Sequence, residues 1–293
     1  MSIKWTLIAA AALLFCSCSA KPAATGPAPS GPSSNSQAPE QKAPDALPLP
    51  RAEGQDIAKE PAQPPIPVPA AAPEQPKGVS KTYKLNPKSY DIVPINPEAT
   101  EKKIVLLTFD DGPKDLEMNT GLLDTLDKHK AKAIFFVNGY RVKQKPELIK
   151  LLSERGQTIG NHSWDHIDLK KESKEKVDAQ IGDVQKAIQD ITGKAPSFFR
   201  PPFGSGSDEV RAKAKEEHLL YMTWSNGSKD WEMSSKNNNP KQVVGNVLEQ
   251  LRPGSNILMH ELPWTVLALD ELLTKLEEKG YGFVDPEAID INL

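Results

Sequence analysis

Cysteine is absent beyond residue 18, since both residues of that type, Cys16 and Cys18, lie in the first 20 of 293. No intramolecular disulfide can staple the folded part, so its stability must come from a hydrophobic core, and residues 101–293 are long enough to build one. No long apolar run marks a membrane span: the stretch over residues 5–15 holds 11 residues, about half of what a bilayer-crossing helix needs. An excess of charge of one sign is missing too. Lys and Arg number 36 against 39 Asp and Glu, for a net −3, which predicts neither a nucleic-acid partner nor a polybasic patch for a membrane surface. Proline is scarce after residue 100, where only nine of the 27 occur; the other 18 fall between residues 21 and 100. A shift that sharp separates a linker from a folded domain.

What is present begins with an export signal over residues 1–20: Lys4, the short apolar run, then small residues from Cys16 to Ala20. Phe15-Cys16-Ser17-Cys18 resembles a bacterial lipobox, with a small residue before the cysteine to be lipidated, Cys18. Cleavage after Ala20 is the competing reading. In both, the mature protein is expected outside the cytoplasm, in the cell envelope, either lipid-anchored to a membrane or secreted. Residues 21–80 are rich in Pro, Ala, Ser, Gln and Gly. Such a segment cannot bury enough apolar surface to offset its ordering entropy, so a disordered tether is expected. Residues 81–101, with Tyr83, Tyr90, Ile92 and Val93, are expected to form an arm on the domain edge.

From residue 102 to 289, β-prone runs alternate with amphipathic helical ones. Strands are expected at 103–109, 132–137, 156–160, 197–200, 219–225, 256–260 and 281–284. Helices are expected near 118–130, 145–154, 173–191, 208–217, 240–251 and 265–278. The alternation argues an α/β fold with a parallel sheet, and about seven strands suit a distorted (β/α) barrel, one short of eight. Reactive groups in such barrels cluster at the C-terminal ends of the strands.

Five stretches fall at those ends. The first, residues 108–113, places Asp110 and Asp111 where an apolar strand gives way to a Gly-Pro turn. Burying one ionised carboxylate is costly unless it is paired or bound to a metal, and two side by side are worse. In the second, His162 and His166 stand four apart, a spacing that puts both imidazoles on one face of a helical turn. With a carboxylate from elsewhere they make a two-His, one-Asp metal site of hydrolytic type. The third, Arg200-Pro201-Pro202-Phe203-Gly204, ends a core strand with an arginine that needs a carboxylate partner, for which Asp110 is available. The fourth runs from Trp224 to Asp230 and Trp231. The fifth, Ile257-Leu258-Met259-His260, closes an apolar strand with a histidine that Asp230 could orient as a general acid. His129 and His218 lie in charged helical surroundings and read as surface residues.

Taken in this order, the five stretches closely resemble the motifs of the polysaccharide deacetylase family, carbohydrate esterase family 4, also called the NodB-homology domain. The resemblance implies metal-dependent removal of acetyl groups from N-acetylated sugars. Asp111, His162 and His166 would hold one divalent metal, Zn2+ before Co2+ or Ni2+. Asp110 would be the base and His260 the acid, with Arg200 and Asp230 completing the catalytic set. The Phe203 backbone N–H would help stabilise the oxyanion, and Pro201, Pro202, Phe203, Trp231 and Leu258 would line the substrate site. Two departures from the family pattern stand out: Gly227 where an aspartate is common, and Phe203 where a tyrosine is usual. The expected partner is a polysaccharide, peptidoglycan or another N-acetylglucosamine polymer, and the expected state a monomer. Chitin oligomers, an exopolysaccharide, O-acetylated xylan, or a non-catalytic glycan-binding role remain as alternatives.

Overall fold

Period-two alternation along one strand decides where the site lies. The computed structural model describes residues 79–292. The expected export signal, Cys18 within it and the tether up to residue 78 therefore lie outside the described residues. In chain order the strands are β1 (Tyr83–Leu85), β2 (Ile92–Pro94), β3 (Ile104–Gly112), β4 (Ala133–Val137), β5 (Thr158–Asn161), β6 (Phe198–Phe199), β7 (Leu220–Tyr221), β8 (Asn226–Gly227), β9 (Ser255–His260), β10 (Gly282–Phe283) and β11 (Ile289–Asp290). The helices are α1 (Leu116–Lys128), α2 (Gly139–Gln144), α3 (Pro146–Glu154), α4 (Lys174–Thr192), α5 (Asp208–Glu216), α6 (Pro240–Glu249) and α7 (Pro263–Glu278). Local chemistry sets the helix starts: Asp115, Ser173, Ser207 and Asn239 accept backbone N–H groups as N-caps. Pro146, Pro240 and Pro263 stand in first turns, where a missing N–H costs nothing.

Seven strands form one curled parallel sheet in the order β7-β6-β5-β4-β3-β9-β8, and β10 pairs with the start of β3. In β3 the side chains of Val105, Leu107 and Phe109 pack outward against the helices. Ile104 and Leu106 point inward with Ile134, Phe136 and Phe198, and by the same alternation Thr108 and Asp110 continue that inner stripe toward the rim. The barrel interior is thus apolar at its floor and polar at its mouth.

Of residues 219–225, expected as one strand, only Leu220 and Tyr221 are strand (β7), and the next strand, β8, begins at Asn226. β7 ends the sheet beside β6 and β8 ends it beside β9, so residues 222–225 cross from one sheet edge to the other. Hydrogen bonds hold the crossing on both sides, Met222 N–H to Phe199 O at 2.9 Å and Ser225 N–H to Asn256 O at 3.0 Å. A continuous apolar-aromatic run cannot reveal a change of neighbour within it. Helix α2 was not expected either, because six residues carry too little periodicity.

The arm forms a small sheet of its own, with β1 antiparallel to β2 and parallel to β11. Leu85 and Ile92 join the inner cluster with Ile104, Leu106 and Ile289, closing the barrel floor. Gly254 permits this approach: a Cβ there would lie 2.3 Å from the Ile92 carbonyl oxygen, and its φ of +85° is one that L side chains avoid. Leu85→Ala should therefore cost about 2–5 kcal/mol, as for a core truncation, read as a lower urea midpoint at unchanged m-value; an unshifted midpoint would make the arm a surface appendage.

Candidate active site

The five strand-end stretches meet at the mouth of the barrel. Asp110 and His260 are paired in the register of β3 and β9, so adjacent strands bring a carboxylate and an imidazole side by side. Beneath them lies Arg200, fully buried after the last residue of β6. Its Nη1 donates to Asp110 Oδ1 at 2.6 Å and to Thr108 Oγ1 at 2.8 Å. Its Nη2 donates to Thr223 O at 3.0 Å and Asn256 Oδ1 at 3.2 Å. The guanidinium also stacks on Phe136, 4.4 Å from the ring centre. One oxygen of Asp110 is thereby fixed, and the other is left toward His162, 3.7 Å from its Nε2.

Asp111 sits next to it in a left-handed conformation, φ +67°, which turns its side chain to the opposite partner set. Its Oδ1 lies 3.2 Å from His166 Nε2 and 3.5 Å from His162 Nε2. Potential ligand atoms of Asp111, His162 and His166 all fall within 4.8 Å of one another. The histidines do not share a helical turn, contrary to the expectation from their spacing. They lie on an irregular loop after β5, in which Ser163 (φ +66°) and His166 (φ +54°) take left-handed conformations. These bends, rather than helical periodicity, bring the rings to 5.0 Å between centres. His162 is oriented through its other nitrogen, Nδ1 to Arg200 O at 2.7 Å.

Whether these residues suit a cation can be asked of the atoms themselves. Asp111 Oδ1 is buried, yet no hydrogen bond reaches it, and two imidazole nitrogens face it. A buried anionic oxygen without a donor is stabilised by a cation. Burial alone would raise the Asp111 carboxyl, but His162, His260, His166 and Lys114 outweigh it and hold the group below the usual carboxylate range. Burial lowers the His166 imidazole, only partly opposed by Asp111, and so favours the neutral form that ligates metals. The donor set of two nitrogens and one oxygen fits a zinc-type ion with open positions.

Across the mouth, His260 Nδ1 lies 2.8 Å from Asp230 Oδ1. The other Asp230 oxygen accepts the His260 backbone N–H and the Thr265 hydroxyl, each at 2.7 Å. Burial works against the imidazolium, but the bond to Asp230 and the nearby charges of Asp110 and Asp111 lift its pKa above the ordinary histidine value. That arrangement suits a proton donor.

Between the two halves is a cavity of about 420 Å³. Asp110, Asp111, His162, His166 and His260 line it, and so do Pro201, Phe203, Trp231 and Leu258. Phe203 stands edge-on to His166, ring centres 4.8 Å apart, and is 66% exposed. Arg200 and Asp230 do not line the cavity; each is bonded to a residue that does, Asp110 and His260 respectively. Pro202 is buried and does not line it; the turn over Pro202–Gly204 is broken at Phe203, whose φ of +59° is left-handed rather than helical. Trp224 does line it, 6.4 Å from Trp231 between ring centres. An aromatic at the edge of a motif was the available signal for it. His129 is not a free surface residue: its side chain is wedged between Asp270 and Glu277, 2.9 Å from each.

The family profile described as "Polysaccharide deacetylase" matches residues 98–222. The chain is 43% identical over 193 residues to the peptidoglycan-N-acetylglucosamine deacetylase PgdA of Listeria monocytogenes, covering 66% of this chain and 40% of that protein; the chain thus spans well under half the length of this relative. It superposes on the peptidoglycan deacetylase PdaC of Bacillus subtilis with a TM-score of 0.57 at 36% identity, over 63% of this chain and 88% of that one. It also superposes on a carbohydrate esterase family 4 pseudoenzyme of Bacillus anthracis, with a TM-score of 0.59 at 32% identity over 62% and 63% of the two chains. The fold alone therefore does not decide between catalysis and its loss.

The His260–Asp230 pair carries a direct test. In Asp230→Asn the carboxylate that lifts His260 is gone, so an NMR titration of the His260 ring should find its pKa below that of the unsubstituted protein; no change would detach the two groups. Because the folded pKa is raised, the pair's contribution to stability is complete below the unfolded value of about 6.5 and is lost as pH climbs through the folded one.

Proposed function

Because the chain belongs to the polysaccharide deacetylase family, we propose that its rim site hydrolyses the acetamide groups of N-acetylglucosamine residues in an envelope polysaccharide, peptidoglycan before other polymers. The observation that carries this reading is the convergence of Asp111, His162 and His166 beside an Asp110–His260 couple at one barrel mouth. In this reading the three ligands hold a divalent cation, zinc by donor set, which when bound supplies a Lewis acid for the carbonyl. Asp110, fixed through Oδ1 by Arg200, takes the proton of the water that attacks the acetamide carbon. The Phe203 backbone N–H supports the oxyanion. His260 hands its proton to the departing sugar nitrogen, and Asp230 steadies the imidazolium. Trp231 and Leu258 enclose the acetyl methyl, while the exposed Phe203 offers a face to a sugar ring.

Relatives named for peptidoglycan support that substrate, and chitin oligomers, an exopolysaccharide or O-acetylated xylan offer the same chemistry to the site. We place the protein outside the cytoplasm, held at a membrane through Cys18. The glycan-binding alternative predicts affinity without turnover. Five intact polar groups around the cavity, Asp110, Asp111, His162, His166 and His260, favour catalysis over it.

Acetate release from peptidoglycan and from chitin oligomers, measured before and after chelation, tests the proposal. Chelation should abolish release and zinc should restore it. Asp110→Asn should keep zinc and lose about 10²–10⁴-fold in turnover, whereas His162→Ala should lose both. Binding of glycan without acetate release by the zinc-loaded protein would establish the non-catalytic alternative.

A further inference from the structure

Asp110 and Asp230 have work in this reading; a third buried carboxylate, Glu261, has none. It follows His260 directly and is fully buried, turned away from the cavity and under the turn that follows Asp111. Its Oε2 accepts the Lys114 backbone N–H at 2.8 Å and Asn119 Nδ2 at 2.9 Å. Its Oε1 receives no hydrogen bond and is pressed against Gly112: a Cβ added there would lie 1.8 Å from it. The Glu261 backbone N–H donates to Asp110 O at 3.4 Å. Three points of the segment 110–114 thus rest on this one residue. No cation pairs with it among the described residues, and burial pushes its pKa up to about 7. Keeping such a group in an otherwise packed interior costs stability that an apolar side chain of the same size would not.

We infer that Glu261 is a positioning residue for the cation site, holding the turn over residues 111–114 so that Asp111 keeps its left-handed backbone and aims Oδ1 at His162 and His166. The inference rests on the proposed metal site. Partners one step behind metal ligands typically set affinity by 10–100-fold, and Glu261 acts through the backbone that carries the ligand rather than through the carboxylate itself.

The test is zinc binding to the metal-stripped full chain by isothermal titration calorimetry, with kcat and KM for acetate release alongside. Glu261→Ala should weaken zinc binding about 10–100-fold and lower kcat at zinc concentrations below saturation, with KM little changed. Glu261→Gln, whose carbonyl accepts the same two hydrogen bonds, should keep zinc affinity within about threefold. Where Glu261→Ala fails to fold, Glu261→Leu keeps the volume without the acceptor and should show the same loss. Wild-type affinity in the Ala or Leu variant overturns the role, and so does an equal loss in Gln and Ala. An unsubstituted chain that binds no zinc would instead remove the metal site and with it the proposed function, an outcome distinct from equal affinity across the variants.

Discussion

A single guanidinium holds the mouth of this barrel together. Arg200 is bonded to Thr108 and Asp110 on β3, to Asn256 on β9 and to Thr223 on the segment that crosses between the sheet edges. It stacks on Phe136 of β4, and its own carbonyl oxygen receives His162 from the loop after β5. The sheet has no strand pairing between β7 and β8 among the described residues. Arg200 supplies the cross-links that such pairing would otherwise give. The same contacts fix one oxygen of Asp110 and the ring of His162, so closing the fold and assembling the site are one event. Removing the arginine leaves Asp110 buried and unpaired, a defect of about 3–5 kcal/mol.

The second constraint is backbone strain. Among the described residues eight non-glycine positions have positive φ, and five of them, Asp111, Ser163, His166, Phe203 and Lys229, belong to the motif segments. Each costs about 1–2 kcal/mol relative to ordinary backbone. The conformation aims side chains that regular strands or helices would send elsewhere. Asp110 and Asp111 show the consequence: neighbours in sequence, one faces an arginine and the other two histidines. A regular strand would have sent the second carboxylate outward, to the apolar cluster beneath the helices.

The sequence revealed the part of the site that depends on residue type. Titratable residues at the ends of apolar runs single out Asp110, Asp111, His162, His166 and His260, which the structure brings to one cavity, because few side chains can serve as ligands, bases or acids. Residues that position them were harder to see. Arg200 was legible because a charge ending a core strand demands a partner. Glu261 was not, since a glutamate after a strand is ordinary surface chemistry until its burial is known. Trp224 stood within a motif but was passed over for Trp231, which faces the same cavity. The run 219–225 looked like one strand because composition reports burial and not which neighbour a strand takes. His162 and His166 converge for a different reason than their spacing suggested, since left-handed residues in a loop leave no periodic trace.

The arm gives the domain two poles. β1 and β2 seal the floor, at the N-terminal ends of β3 and β9, while Asp110 and His260 stand where those strands finish. Six residues of β9 separate the two levels, roughly 17 Å at the rise of a parallel strand. Polypeptide preceding residue 79 therefore joins the domain at the end remote from the cleft. A pull applied at the first described residues would load β1 and β2 before it reached the residues that line the cavity.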